Sequence, residues 1–229
     1  MRQDRGVAAR GLVAVVMVMA LLIIDQTVKI WVKTHMSLHE AIPVTDWFQI
    51  TFIENNGMAY GMEFGSKLLL SVLRLALIAL ICLYMTQQIR KKAKWGYLVC
   101  IALIIAGALG NIIDGMVYGL IFSESTPFFP AHFVPFGSGY EGFMRGRVVD
   151  MLYFPLIVAQ WPSWVPMVGG DDFVFFSPVF NIADSSITVG VAALLLFYRR
   201  EVANISFGWN KAEGHHTEEK PAEDAEKRE

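Results

Sequence analysis

The sequence predicts an all-α membrane protein with four transmembrane helices, a small outward-facing β-hairpin or sheet, and a long interfacial loop. Of its 229 residues, 55% are hydrophobic and 17% are charged, whereas soluble domains carry about 25% charged residues. The apolar residues concentrate in four runs, each close to the ~20 residues that cross a hydrocarbon core. The predicted helices span roughly residues 12–33, 68–89, 95–119 and 179–198.

The first run, LVAVVMVMALLII, follows three arginines, as a secretory signal does. However, no small-x-small cleavage site follows it, and the apolar stretch continues past Asp25 through VKIWV. We therefore expect a retained helix. Cys82 and Cys100 lie inside the second and third runs, where cysteine is typical of small buried hydrophobic residues and indicates no disulfide.

The positions of lysine and arginine predict the orientation. Arginines precede the first run, RKKAK joins runs two and three, and RR follows run four. The link of residues 34–66 contains no lysine or arginine, and the link 120–178 holds only Arg145 and Arg147. Because basic residues stay on the cytoplasmic side, we expect both termini inside and both of these links outside. No further basic patch is present, so no nucleic-acid partner is expected.

Each outward link has its own pattern. In residues 41–65, WFQITFIE alternates like a strand, NNG signals a turn, and MAYGM is a candidate return strand. This segment is either a hairpin resting on the membrane surface or an edge for an extended peptide. Residues 120–178 are rich in aromatic residues, proline and glycine, which favours an interfacial loop or a flap over a site. In the flap interpretation, residues 122–145 are a mobile cover.

Residues 1–200 are expected to form one membrane domain, and residues 201–229 a cytoplasmic tail. From about residue 211 the tail is acidic and lacks aromatic residues, so it is predicted to be disordered.

Polar residues gather at the outer ends of the runs. An ionisable group inside a membrane costs about 2.5–3.5 kcal/mol at a helix centre, so each such group is a candidate for function. In the predicted orientation all of them lie at one level near the outer face. They are Asp25, Lys29, Asn111, Asp114, Asp150, Asn181 and Asp184.

Several of these polar residues also have a structural explanation that requires no function. Asp25 and Lys29 are four residues apart, which favours an ion pair on one helix face. Asp114 is suited to bracing neighbouring helices, and Asp184 lies where a helix N-terminus favours negative charge. Asp150 stands among apolar residues with only Arg147 near it in sequence.

His35 and His39 are also four residues apart, but no third ligand and no HExxH pattern accompanies them. We therefore expect no metal and no other cofactor. No G-x-S-x-G nucleophile motif occurs either.

Five short motifs are spread along the chain between residues 12 and 198. They are DQTVK at 25–29, NNGMAY at 55–60, GALGNIID at 107–114, GRVVDM at 146–151 and FNIADSSI at 180–187. Together, in their order and topological places, they resemble the lipoprotein signal peptidase (signal peptidase II) family of membrane aspartic peptidases.

The resemblance implies a fold of four helices and an endopeptidase that cleaves prolipoproteins before the diacylglyceryl-modified cysteine, at the outer face of the bacterial cytoplasmic (inner) membrane. It implies that Asp150 and Asp184 are catalytic. The implied partners are the lipid-modified precursor, membrane lipids and cyclic peptide antibiotics that inhibit the family. The implied supporting residues are Asp25, Lys29, Asn55, Gly57, Asn111, Asp114 and Asn181.

The chain departs from the family pattern in two places. Gly115 stands where an arginine usually follows the third motif, which puts substrate or headgroup contacts in doubt; Arg145 and Arg147 are candidates to replace it. About 25 extra residues separate the third and fourth motifs.

The expected chemistry is that of two carboxylates that share one proton, so that one acts as a base and the other as an acid. The alternative function is a small proton- or ion-coupled transporter, which also gathers aspartates among helices but near the midplane. A scaffold subunit would need none of these carboxylates.

Overall fold

The computed structural model describes residues 2–56 and 67–203. Its helices are α1 (Arg2–His35), α2 (Lys67–Arg90), α3 (Trp95–Ile113), a π-helical turn (Asp114–Tyr118) that continues as α4 (Gly119–Ile121), α5 (Ile182–Phe197) and α6 (Arg199–Ala203). The strands are β1 (Ala41–Thr45), β2 (Phe48–Asn55), β3 (Val148–Tyr153), β4 (Ile157–Gln160), β5 (Asp172–Phe175) and β6 (Val179–Phe180).

Three helices of the described chain are long and apolar enough to cross a membrane, over residues 5–35, 71–90 and 95–121. Many of their large apolar side chains are exposed, which suits contact with lipid rather than water. The fourth apolar helix, α5, has 16 residues, fewer than the ~20 that span a hydrocarbon core. A membrane protein is therefore supported, while the count of four spans stays a prediction.

Helix α3 is central, because α1, α2 and α5 all pack against it. Glycine permits the closest of these contacts: a Cβ on Gly107 would lie 2.2 Å from the backbone oxygen of Ala183 in α5. A Cβ on Gly110 would lie 2.7 Å from the Asp25 carboxylate of α1. These two glycines let the backbones approach, so that polar groups of three helices meet at one level.

A four-stranded antiparallel sheet with the order β1-β2-β3-β6 covers the end of the bundle, and β4 and β5 form a separate two-stranded sheet. The alternating segment WFQITFIE does form a strand, β2, as predicted. Its partners are β1 and β3. The predicted return strand MAYGM, residues 58–62, lies outside the described residues, as do Gly57 and the tail from residue 204.

The link 120–178 contains more regular structure than the expected loop. It contains β3, β4 and β5, because its apolar stretches find strand partners that a sequence window does not reveal. The last helix also begins at Ile182 instead of residue 179, since Val179 and Phe180 pair with β3 as β6.

Residues 122–145, the mobile cover of the flap interpretation, are bound to neighbouring elements in this structure, and the flap stays a prediction. The segment is fastened to the end of α1, where Leu38 N–H donates to Thr126 O (2.9 Å) and Ala131 N–H donates to Lys33 O (3.1 Å). It returns to α4 through Glu141 N–H and Gly119 O (3.0 Å).

Candidate active site

Asp150 and Asp184 line one cavity of about 420 Å³, which lies between α2, α3 and α5 and opens beside the sheet. Asp150 comes from β3, where alternation turns its side chain to the cavity while Val149 and Met151 pack into the opposite, apolar side. Asp184 comes from the first turn of α5, as its sequence position indicated. The fold thus brings together two carboxylates from different elements.

Asn181 joins the two carboxylates. As the N-cap of α5 it accepts a hydrogen bond from the Asp184 N–H (2.8 Å), and its own N–H donates to Asp184 Oδ2 (3.3 Å), so the pair forms a capping box. The Asn181 Nδ2 group donates to Asp150 Oδ1 (2.7 Å). One fully buried residue therefore contacts both carboxylates, Asp150 through its side-chain amide and Asp184 through its backbone N–H.

Two further asparagines contact the pair. Asn111 of α3 donates from Nδ2 to Asp184 Oδ1 (2.7 Å). Asn55, the last residue of β2, donates from Nδ2 to Asp150 Oδ2 (3.2 Å). Within the described part of the chain, each oxygen of each carboxylate accepts one hydrogen bond, which orients both groups toward the cavity.

Asp25, Lys29 and Asp114 form a layer of ion pairs next to this network, here called the ionic layer. Lys29 contacts Asp25 (3.0 Å), as the four-residue spacing predicted, and Asp114 (2.8 Å), which the sequence did not predict. Its ammonium also donates to Asn111 Oδ1 (2.8 Å). This bond leaves the Asn111 amide nitrogen facing Asp184, so Lys29 sets the direction of the amide.

The two carboxylates of the layer also hold backbone groups. Asp25 Oδ1 accepts from the Ala183 N–H in the first turn of α5 (2.9 Å), and Asp114 Oδ2 accepts from the Val149 N–H beside Asp150 (3.3 Å). Gln26, which the sequence analysis missed, donates to Asp114 Oδ1 (2.8 Å). Asp114 thus braces a strand as well as its neighbouring helix.

A second buried ion cluster was also missed. Glu54 of β2 accepts hydrogen bonds from Lys33, from Ser125 (2.7 Å) and from Arg147 (3.0 Å). Burial alone raises the pKa of Glu54, but the charge of Lys33 and these hydrogen bonds outweigh burial and hold that pKa below its usual value. In the sequence FIENNG, Glu54 directly precedes Asn55, and this position next to a motif residue was the signal that could have pointed to Glu54.

The pKa of Asp150 is raised to about 7. Burial is the largest cause, and the nearby charge of Asp184 adds to it, while hydrogen bonds from Asn55 and Asn181 act in the opposite direction. A carboxyl group with such a pKa retains a proton in a large fraction of molecules near neutral pH. The pair is therefore suited to share one proton.

Most of the other described residues that line the cavity are apolar. Leu77, Ile78 and Ile81 of α2 face Ile104 of α3 and Ile187 of α5. Arg74 of α2 also lines this cavity. The arrangement suits a ligand with an apolar body and a polar group that reaches the two carboxylates.

Other predicted features lie apart from the cavity. None of residues 122–145 lines it, and neither does Gly115, whose carbonyl accepts from the Gly146 N–H (2.8 Å). Arg147 is bound in the Glu54 cluster, and Arg145 is exposed. His35 hydrogen-bonds within α1, and over residues 2–56 and 67–203 no group of three His, Cys, Asp or Glu side chains has the arrangement of a metal site.

Comparison with known proteins agrees with the motifs. The family described as Signal peptidase (SPase) II matches residues 17–199. A lipoprotein signal peptidase of Porphyromonas gingivalis is 49% identical over 196 residues, covering 85% of this chain and 86% of that protein. One of Amoebophilus asiaticus is 35% identical over 191 residues, covering 79% and 75%.

A solved structure described as a bacterial membrane enzyme, obtained by the in meso method, has the same fold. It superposes with a TM-score of 0.53 at 24% identity, covering 85% of this chain and 92% of the other.

Proposed function

The chain belongs to the signal peptidase II family, and from that premise we propose that it is a membrane-embedded aspartic endopeptidase that removes signal peptides from prolipoproteins. It cleaves before the diacylglyceryl-modified cysteine. The observation that carries the proposal is the pair Asp150 and Asp184, joined by Asn181 and facing one cavity. The family match and the named relatives give no support to a transporter.

In this mechanism the two carboxylates share one proton. The ionised member takes a proton from a water molecule, which attacks the scissile carbonyl, while the protonated member donates its proton to the carbonyl oxygen. The pKa of Asp150, about 7, supports one proton on the pair near neutral pH. Asn181, Asn111 and Asn55 orient the two groups without competing for the proton, because each donates through an amide N–H.

The supporting residues act one layer away. Lys29, held between Asp25 and Asp114, fixes the direction of the Asn111 amide, and Asp114 fixes β3 beside Asp150. The apolar walls of α2, α3 and α5 suit the apolar parts of a lipidated precursor. Membrane lipids are further expected partners, and cyclic peptide antibiotics are expected to compete for the same cavity.

The experiment compares Asp150→Asn and Asp184→Asn on a diacylglyceryl-modified precursor. Each change nearly preserves size and removes the shared proton chemistry, so each single variant is expected to lose at least about a thousandfold in kcat. The double variant should be scarcely worse, because effects within one catalytic unit do not add. Asp46→Asn, an exposed aspartate at the β1–β2 turn, is the matched control.

All variants are compared as purified protein with matched thermal unfolding. Substantial cleavage by a folded Asp150→Asn or Asp184→Asn protein would refute the aspartic mechanism. Loss of cleavage in Asp46→Asn as well would show that the assay reports folding instead of chemistry.

The proposed orientation places both termini in the cytoplasm of a bacterial cell and the site near the outer face of the inner membrane. Its support is the distribution of lysine and arginine. A reporter fused after Gly208 should remain cytoplasmic, and one inserted near Gly137 should be exported. An exported C-terminus would contradict this orientation.

A further inference from the structure

Three charged residues form a buried cluster behind the sheet, on the side away from the cavity. Lys33 is fully buried and Glu54 is 3% exposed, while Arg147 is 24% exposed. None of the three lines the cavity. Burying such charges is costly unless they are well paired. We therefore expect the cluster to have a structural or functional role.

Each charged group of the cluster has a partner of opposite charge. Glu54 Oε2 accepts from Arg147 Nη1 (3.0 Å), and its Oε1 accepts from both Lys33 and Ser125 Oγ (2.7 Å). The Tyr140 ring contacts both cations, with its centroid 4.9 Å from Lys33 Nζ and 5.0 Å from the Arg147 guanidinium carbon. Both cations are therefore held by an anion and by an aromatic face.

The cluster joins the two strands that carry the site. Glu54 directly precedes Asn55 in β2, and Arg147 directly precedes β3, three residues before Asp150. In the antiparallel register Glu54 lies opposite Val149, and Ile53 lies opposite Asp150. The Glu54–Arg147 ion pair is thus a cross-strand link beside the end of β2 and the start of β3, where Asn55 and Val148 lie opposite each other.

Side-chain alternation separates the two faces of this link. Glu54 and Arg147 point behind the sheet, while their neighbours Asn55 and Val148 line the cavity. A one-residue displacement of either strand would move these side chains to the opposite face. The link therefore acts on the site only through the placement of its neighbours.

We propose that the Lys33–Glu54–Arg147 cluster is a positioning device, which holds β2 and β3 in register so that Asn55 donates its hydrogen bond to Asp150. The inference rests on the proposed function for its catalytic meaning. Arg147 is a positioning residue here, because it acts through Asn55 and does not contact the cavity.

The hydrogen bond from Asn55 has a measurable consequence. It favours the ionised form of Asp150 and so opposes the upward effect of burial and of Asp184 on the pKa of Asp150. Among the described residues, the charge of Lys29 in α1 also acts on Asp150, Arg74 of α2 lines the same cavity, and Asp114 binds the N–H of the neighbouring Val149. These three remain in place in the variants below.

The test titrates the Asp150 carboxyl by NMR in aspartate-labelled full-length protein in detergent, with the resonance assigned by its absence in Asp150→Asn. Arg147→Gln should raise the midpoint by about half a unit to one unit, the effect of losing a hydrogen bond to a charged group. In Arg147→Lys the Asp150 midpoint should return most of the way to its value in the unaltered protein. Arg145→Gln, the same change at an exposed arginine two residues away, should leave the midpoint unchanged.

A double-mutant cycle separates positioning from a general loss of stability. Asn55→Ala alone should give the same shift, and Arg147→Gln should add nothing to it, because the group through which it acts is already absent. On the lipidated precursor, Arg147→Gln should lower kcat by about tenfold with KM unchanged, and the alkaline limb of its pH profile should move to higher pH.

An unchanged Asp150 midpoint in Arg147→Gln, or an additive shift in the double variant, would overturn the proposal. If Arg147→Gln does not fold, Glu54→Asp keeps every charge but shortens the link, and the same titration decides. The titration needs no cleavage, so failure of the proposed function, seen as no cleavage by the unaltered protein, is distinguished from failure of this inference.

Discussion

Replacing Lys29 by methionine tests whether the ionic layer supports both the fold and the site. Methionine keeps the length and apolar stem of lysine but removes its charge and its hydrogen bonds. The ammonium of Lys29 contacts Asp25 at 3.0 Å and Asp114 at 2.8 Å, and neither carboxylate is more than 3% exposed. The variant therefore leaves two buried carboxylates close together without a cation.

The expected magnitude follows from that burial. Removing one partner of a buried ion pair costs about 3–5 kcal/mol, because the remaining charge is desolvated and uncompensated. For a chain of this size each kcal/mol lowers Tm by about 2–4 °C, so Lys29→Met should unfold about 6–20 °C below the unaltered protein. Asp25→Asn should cost less, since Lys29 keeps Asp114 and Asn111 as partners.

Thermal unfolding in detergent, followed by intrinsic fluorescence, measures these effects. The double variant Lys29→Met with Asp114→Asn should recover part of the loss, because it removes one of the two stranded charges. Cleavage should fall even where folding is recovered, since Asn111 no longer has the Lys29 bond that points its amide nitrogen at Asp184.

A Tm for Lys29→Met within the error of the unaltered protein would refute this reasoning. So would a double variant that is less stable than Lys29→Met, because the uncompensated carboxylates would then not be the cause.

Two further predictions concern pH and packing. The pKa of Asp150 in the folded protein is raised to about 7 from its ordinary 3.8. The contribution of Asp150 to the free energy of unfolding is therefore complete below about pH 4 and is lost as pH rises through about 7. Unfolding titrations at several pH values should show Asp150→Asn gaining a few kcal/mol over the unaltered protein across this window, and a constant difference would contradict the raised pKa. Gly107→Ala places a Cβ against the Ala183 backbone oxygen and should cost about 1–3 kcal/mol with reduced cleavage. Gly11→Ala in α1 meets no atom within 4 Å and should stabilise slightly by comparison; equal effects of the two changes on Tm would show that the α3–α5 contact is not tight.

The features that the sequence predicted correctly are those that depend on nearby residues. Hydropathy over about 20 residues located three helices that are long enough to cross a membrane and the shorter apolar helix α5. The spacing of Asp25 and Lys29 predicted their ion pair, and the position of Asp184 predicted its place at a helix N-terminus. The five motifs identified the family. The assignment of Asp150 and Asp184 as catalytic remains a prediction that the shared cavity supports.

Only the tertiary structure decided which distant groups meet. Asp150 lies on a strand, because β3 finds β2 and β6 as partners across long separations, and a local pattern within 120–178 could not show those partners. For the same reason the sequence missed Gln26 beside Asp114 and Arg147 beside Glu54, pairs that are 88 and 93 residues apart. A hydrogen bond needs two atoms placed within a fraction of an ångström, and strand register and helix packing determine that placement only when the whole chain has folded.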